Sequence, residues 1–166
     1  MPKISIRYQE LGDAKRFFEI LSNPNFIYFT SKPKSVQDEI KWLKKSQQLR
    51  KAKSEYNYTI LLDGSVIGAV GIRIDKNRSF TGEIGYFVDE RHWNKGIATK
   101  AVKLAEKEGF SKRGLTRIVI LMQPENIGSE RVAIKSGFQK EGLMKKAIIG
   151  TDGKKKDVFL YAKVKS

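Results

Sequence analysis

Between Glu83 and Thr99 the chain reads Glu83-Ile84-Gly85-Tyr86-Phe87-Val88-Asp89-Glu90-Arg91-His92-Trp93-Asn94-Lys95-Gly96-Ile97-Ala98-Thr99, a strand that passes through a polar loop into a helix. A helix start offers unpaired backbone N–H groups and the positive end of the helix dipole. Gly96 and Ala98 leave little side-chain bulk at that point, so an anion can come close to the backbone and the segment reads as a phosphate cradle. The spacing is neither the G-x-x-x-x-G-K-[ST] of an NTPase loop nor the three glycines of a dinucleotide fingerprint, which disfavours ATP and NAD. His92 is the only histidine in the chain. No carboxylate pattern stands near it to orient the ring, and a solvent-facing loop residue is expected.

The elements around this segment follow from periodicity. Ile4 and Ile6 alternate as in a short strand, and Asp13 precedes Phe17, Phe18, Ile20 and Leu21 at helical spacing. Ser35, as N-cap, opens a second helix with Asp38 at its third position and Val36, Ile40, Trp42 and Leu43 in one stripe, running to about Lys53. Tyr56–Leu62 and Ser65–Ile74 flank Asp63-Gly64 as a hairpin, and Thr81–Val88 adds a third strand. Thr99–Lys112 reads as a helix, Thr116–Met122 as a buried strand and Gly128–Ser136 as a short helix capped by Gly137. Phe138–Leu143 and Val158–Val164 follow as strands around a Gly150–Lys156 turn. The expected fold is α/β: residues 1–166 as a single domain, a mixed, mostly antiparallel twisted sheet flanked by helices, in the order β-α-α-β-β-β-α-β-α-β-β.

Lys and Arg number 33 against 18 Asp and Glu, a formal charge of +15, so the field around the molecule attracts polyanions. The same balance also suits surfaces adapted to heat, and composition does not separate the two. With no cysteine there is no disulfide, thiolate zinc site or acyl-cysteine intermediate. Met1-Pro2-Lys3-Ile4-Ser5 lacks the apolar core of a signal peptide, and no apolar run approaches the ~18 residues of a membrane span. A cytoplasmic location is expected.

Trp93-Asn94-Lys95-Gly96-Ile97-Ala98 resembles the pyrophosphate loop of the GNAT N-acetyltransferase superfamily, whose pattern is Gln/Arg-x-x-Gly-x-Gly/Ala. Trp93 in place of Gln or Arg, with Glu83-Ile84-Gly85-Tyr86 upstream, is similar to the RimJ/RimL-like branch of ribosomal-protein N-terminal and polyamine acetyltransferases. A second block in family order, Pro124-Glu125-Asn126-Ile127-Gly128-Ser129 through Lys135-Ser136-Gly137-Phe138, resembles N-x-x-S-x-x-x-x-x-K-x-G-F. The pair of blocks is far more specific than the loop alone.

The resemblance implies acetyl-CoA as cosubstrate, with no metal, and an amine acceptor. It implies that Trp93, Asn94, Lys95, Gly96, Ile97, Ala98 and Thr99 hold the pyrophosphate. The strand at Phe87 and Val88 then splays to receive the pantetheine arm, and a backbone N–H near Val88 faces the thioester oxygen. Asn126 is expected on the pantetheine arm and Ser129 close to the cofactor. Many relatives carry a tyrosine acid four residues beyond Ser129; here that residue is Ala133, so the acid falls to Asn126-bound water, to Ser129 or to no group. Glu83 is the candidate base, drawing a proton from the amine through water, its pKa raised if partly buried; alternatively it is a surface strand residue paired with a Lys. Trp42, Phe17 and Phe18 are read as core or acceptor-cleft lining, and the basic runs 41–53 and 154–156 as solvated faces that could dock a ribosomal or other anionic partner. The expected activity is acetyl transfer to a protein or peptide N-terminal α-amine, with a polyamine as the alternative acceptor. A basic RNA- or ribosome-binding module that has lost catalysis is the rival of another class.

Overall fold

The structure, a computed structural model, describes residues 2–30 and 32–166. The strands are β1 (Ile4–Tyr8), β2 (Glu55–Leu62), β3 (Ser65–Ile74), β4 (Thr81–Val88), β5 (Arg117–Met122), β6 (Gln139–Ile149) and β7 (Lys155–Val164). The helices are α1 (Ala14–Leu21), α2 (Val36–Lys51), α3 (Ile97–Lys112) and α4 (Ile127–Lys135). One seven-stranded sheet runs β1-β2-β3-β4-β5-β7-β6, and every pairing is antiparallel except β4 with β5. The order and the mixed sheet agree with the expectation from periodicity. No helix among the described residues is long and apolar enough to cross a membrane.

Alternation along β4 divides its side chains between two cores. Ile84 and Val88 join Ile72, Val102, Ala105 and Ile118 on the α3 side, while Phe87 joins Phe17, Leu43 and Ala69 under α1 and α2. Buried Asp13 fastens α1 to the sheet: Arg7 donates twice to its carboxylate at 2.9 Å, and Thr59 Oγ1 donates at 2.6 Å. Ser35 Oγ accepts the Asp38 N–H as the N-cap of α2, while the Asp38 carboxylate reaches back to the N–H of Lys34.

Three local expectations are corrected. Trp42 is more than a third exposed and belongs neither to the two core clusters nor to the lining of the large cavity over the start of α3, because the buried stripe of α2 runs Glu39, Leu43 and Ser46. Helix α3 begins at Ile97, two residues before Thr99, since Gly96 takes φ 76° as N-cap and its carbonyl accepts the Lys100 N–H. The β6–β7 hairpin is longer than its apolar pattern suggests. β6 lies at the sheet edge with nearly all its residues exposed, so no alternation marks it, and a bulge at Met144–Ile148 interrupts its pairing.

Candidate active site

β4 and β5 pair only at Thr81, Glu83 and the residue between them, opposite Arg117–Val119; beyond that point no pairing joins Ile84–Val88 to Ile120–Met122, and the two strands part. The Asp89 N–H bonds to the Ile67 carbonyl at 2.7 Å, which sets the phase of the unbroken β3–β4 ladder. In an antiparallel ladder only alternate residues exchange hydrogen bonds with the partner. Phe87 and Gly85 therefore bond back to β3, whereas the backbone groups of Val88 and Tyr86 point into the gap facing β5. The Val88 carbonyl is met there by the Trp93 indole N–H at 2.7 Å, which leaves the Val88 N–H as the donor at the mouth of the gap. β3 presses closely behind it: a Cβ on Gly68 would lie 2.2 Å from the Phe87 carbonyl oxygen.

A cavity of about 950 Å³ fills the gap and extends over the start of α3. The first intrahelical bond of α3 runs from Lys100 to Gly96, and no side chain among the described residues caps this end. The N–H groups of Ile97, Ala98 and Thr99 consequently have no helical partner. Gly96, Ile97, Ala98 and Thr99 all line the cavity. Gly96 is needed for its φ of 76°, and the space a Cβ would enter is open. This cradle fits a pyrophosphate, being a helix N-terminus with uncapped donors and no bulk above them.

The loop that leads to the cradle is fixed by charge. Asp89, almost fully buried, is paired with Arg16 and with Arg91 at 2.7 Å. Burial alone would raise its carboxyl, but the hydrogen bonds from both arginines and from the Arg91 N–H outweigh it and hold the group ionised, well below the usual carboxylate range. Glu90 accepts from Asn23 and from Asn25, and Phe26 meets Trp93 edge-on at 5.4 Å between centroids. Thr151 Oγ1, in the β6–β7 turn, donates to the Ile27 carbonyl at 2.9 Å. Residues 25–29 are thereby held as one wall of the cavity, with Phe29 edge-on to Phe87.

The opposite wall is α4. Asn126 is its N-cap, its Oδ1 accepting the Ser129 N–H at 3.2 Å, and its amide nitrogen makes no hydrogen bond among the described residues. Ser129 Oγ accepts from the Tyr86 hydroxyl at 3.0 Å across the gap. Both α4 residues line the cavity, as do Phe87, Val88, Trp93 and Asn94.

Two of the residues singled out from the sequence lie elsewhere. Lys95 turns back, its Nζ donating to the Arg91 carbonyl at 3.1 Å, and does not line the cavity. Glu83 sits where β4 and β5 are still paired; its carboxylate is bound by Arg73 at 2.7 Å and is absent from the cavity lining. Cross-strand register explains the pairing, since Arg73 stands directly opposite Glu83 on β3. His92, expected in solvent, is half-buried and lines the cavity beside Trp93. Tyr86 is the residue that reading by motif overlooked. Its alternation with Ile84 and Val88 was the available signal, since it puts the phenol on the α3 and α4 side of the sheet.

Comparison with known proteins agrees with this geometry. Residues 3–139 match the family model described as the acetyltransferase (GNAT) domain. A probable N-acetyltransferase of Bacillus subtilis, YjcK, is 36% identical over 117 residues, which are 69% of this chain and 65% of that protein. The chain thus spans about two thirds of that relative's length. The ribosomal-protein-serine acetyltransferase of Escherichia coli is 32% identical over 107 residues, covering 64% of this chain and 59% of that one. The solved structure of RimL, a ribosomal L7/L12 α-N-protein acetyltransferase in complex with coenzyme A, superposes with a TM-score of 0.89 at 20% identity, over 98% of this chain and 94% of that one. A splayed parallel strand pair, an uncapped helix start beneath it and a family model that spans most of the chain converge, and this protein belongs to the GNAT family of acetyl-CoA-dependent N-acetyltransferases.

Proposed function

We propose that the chain transfers acetyl from acetyl-CoA to the α-amine of a protein or peptide N-terminus, by direct attack within a ternary complex. The observation that carries the choice of acceptor is the cavity lining. Residues 26–29 of its wall are aromatic or apolar, and Glu125 is the one carboxylate among the described lining residues. A polyamine carries several cations and calls for several carboxylates, and the +15 field repels it as well. An α-amine, with a reference pKa of about 7.7–8.0 against about 10.4 for a lysine-type amine, is much more often the free nucleophile at neutral pH. A site with no strong base in its lining suits it. The ribosomal-protein-serine acetyltransferase among the relatives supports a protein acceptor, and a ribosomal partner is consistent with the charge.

Bound acetyl-CoA supplies the acyl group on a thiol leaving group. The N–H groups of Ile97, Ala98 and Thr99 hold the pyrophosphate, and the unpaired amide nitrogen of Asn126 donates to the pantetheine arm. The Val88 N–H faces the carbonyl oxygen and stabilises the negative charge that develops on it. The walls formed by residues 25–29 and α4 hold acceptor and thioester together, and this proximity adds to the oxyanion stabilisation. Glu83, held by Arg73 outside the lining, has a structural part in this scheme, and water takes the amine proton.

The test compares kcat/KM for spermidine with that for short peptides bearing free Ser, Thr or Ala N-termini, at two ionic strengths. Peptides are the better substrates on this reading. Turnover of spermidine with none of any peptide refutes it.

A further inference from the structure

Among the described residues, the hydroxyl pair formed by Tyr86 and Ser129 is the one polar link that crosses the gap from β4 to α4. Tyr86 stands on the parted segment of β4, and its oxygen lies 3.0 Å from Ser129 Oγ in the first turn of α4. Ser129 Oγ has no other hydrogen-bond partner among the described residues. A hydroxyl has one proton to give and two lone pairs to receive with. With the more acidic phenol donating, the Ser129 proton has no acceptor among the described residues and is left to whatever occupies the cavity.

The surroundings of the pair fit this arrangement. Ala133, one turn beyond Ser129, is fully buried and packs in the same core cluster against which Tyr86 lies. That small residue leaves room on the inner face of α4, and the Tyr86 ring comes in from the strand opposite. Burial pushes the Tyr86 phenol up to about 12, only partly offset by its bond to Ser129, so it remains a neutral donor over the working pH range.

We propose that Tyr86 is a positioning residue which, by donating to Ser129 Oγ across the gap, turns the Ser129 proton toward the sulfur of the bound thioester. Ser129 touches the sulfur and Tyr86 acts only through Ser129. The hydrogen bond to sulfur strengthens as the C–S bond breaks and negative charge gathers on the leaving thiolate. No proton is transferred within the pair; the departing thiolate is protonated from water. The inference rests on the acetyl-transfer reading for its role in turnover, but not for the geometry at the sulfur.

The test uses Tyr86→Phe, Ser129→Ala and the double variant, with two readouts. The first is kcat against KM for acetyl-CoA. Tyr86→Phe is expected to lower kcat by about threefold to tenfold, the value of one hydrogen bond, with KM for acetyl-CoA almost unchanged. The double variant is expected to be no slower than Ser129→Ala, because Tyr86 has nothing to act on once the hydroxyl is gone. The second readout is the ultraviolet absorbance of the thiolate of bound coenzyme A during a pH titration. In the intact protein the bound thiol titrates below the free one, and Tyr86→Phe raises it by about half to one pH unit, the same hydrogen-bond value expressed as a pKa. Single-variant losses that multiply in the double variant, or a bound thiol whose titration ignores Tyr86→Phe, overturn the proposal. Should no amine be acetylated while the thiol titration still answers to Tyr86, the transfer reading fails and the positioning role stands.

Discussion

Replacing Glu39 with Gln should stabilise the protein at alkaline pH and leave it unchanged in acid. Glu39 lies on the inward stripe of α2 with Leu43 and Ser46, only 5% exposed, and no cation is paired with it among the described residues. Burial, with a smaller push from adjacent Asp38, raises its carboxyl from 4.5 to about 7. The group is neutral in both states below about pH 4.5, so it costs nothing there. As pH rises toward 7 the unfolded chain ionises readily and the folded chain does not, and stability is lost across that window. A gap of about 2.5 pH units at about 1.4 kcal/mol each amounts to about 3.5 kcal/mol above pH 7. Gln has the same shape without the charge and escapes that cost. For a chain of this size the gain corresponds to a melting temperature about 7–14 °C higher at pH 8.5 and to almost no gain at pH 4.5. Differential scanning calorimetry of both proteins at the two pH values measures it. Equal differences at both pH values would refute the reasoning, since burial of charge would then not be what limits stability at this site.

Gly96→Asp places a carboxylate above the N–H groups of α3 and should abolish the stabilisation by coenzyme A, which at a hundred times its Kd is about 2.7 kcal/mol; a thermal shift that persists in a folded variant contradicts the cradle. Gly68→Ala forces β3 and β4 apart, because its Cβ would meet the Phe87 carbonyl at 2.2 Å, and should lower both the melting temperature and kcat. A displacement of about 1 Å at Val88 can cost about a hundredfold in rate, so kcat unchanged in a folded variant would argue against the Val88 donor. Glu83→Gln should leave the ratio of rates to the parent constant from pH 6 to pH 9 and cost no more than about 1 kcal/mol, as for a partly exposed ion pair; a loss confined to low pH would reinstate Glu83 as base.

The elements of this fold were legible in the sequence wherever one face of an element is buried. Ile84 and Val88 alternate with Phe87 on β4, and Ser35 announces the start of α2, because burial and capping are encoded within a few residues. Edge strand β6 has no buried face to encode, and its length comes from the ladder with β7. The cradle was legible for the same local reason as the caps: a glycine at positive φ, a helix start and the following small residues are contiguous from Gly96 to Ala98. The chemistry across the gap was not. Tyr86 and Ser129 stand 43 positions apart, Arg73 reaches Glu83 through strand register, and Asn23 and Asn25 reach Glu90 from the segment after α1. Each of these pairings is fixed by tertiary placement, which no spacing along the chain records. Glu83 illustrates the consequence: its residue type suited a base, but its ion pair with Arg73 on β3 is set by strand register and is not written in the local sequence.

Whether the site serves an N-terminal amine is tested most directly by a competition. The protein is incubated with acetyl-CoA and a mixture of spermidine with peptides whose N-termini are free or blocked, each containing an internal lysine. Mass spectrometry with fragmentation then locates every acetyl group gained. The account predicts acetylation at the N-terminal residue of the free peptides, none on their lysines, none on the blocked peptides and little on spermidine. Acetyl groups found on spermidine or lysine side chains, with the free N-termini untouched, would contradict it.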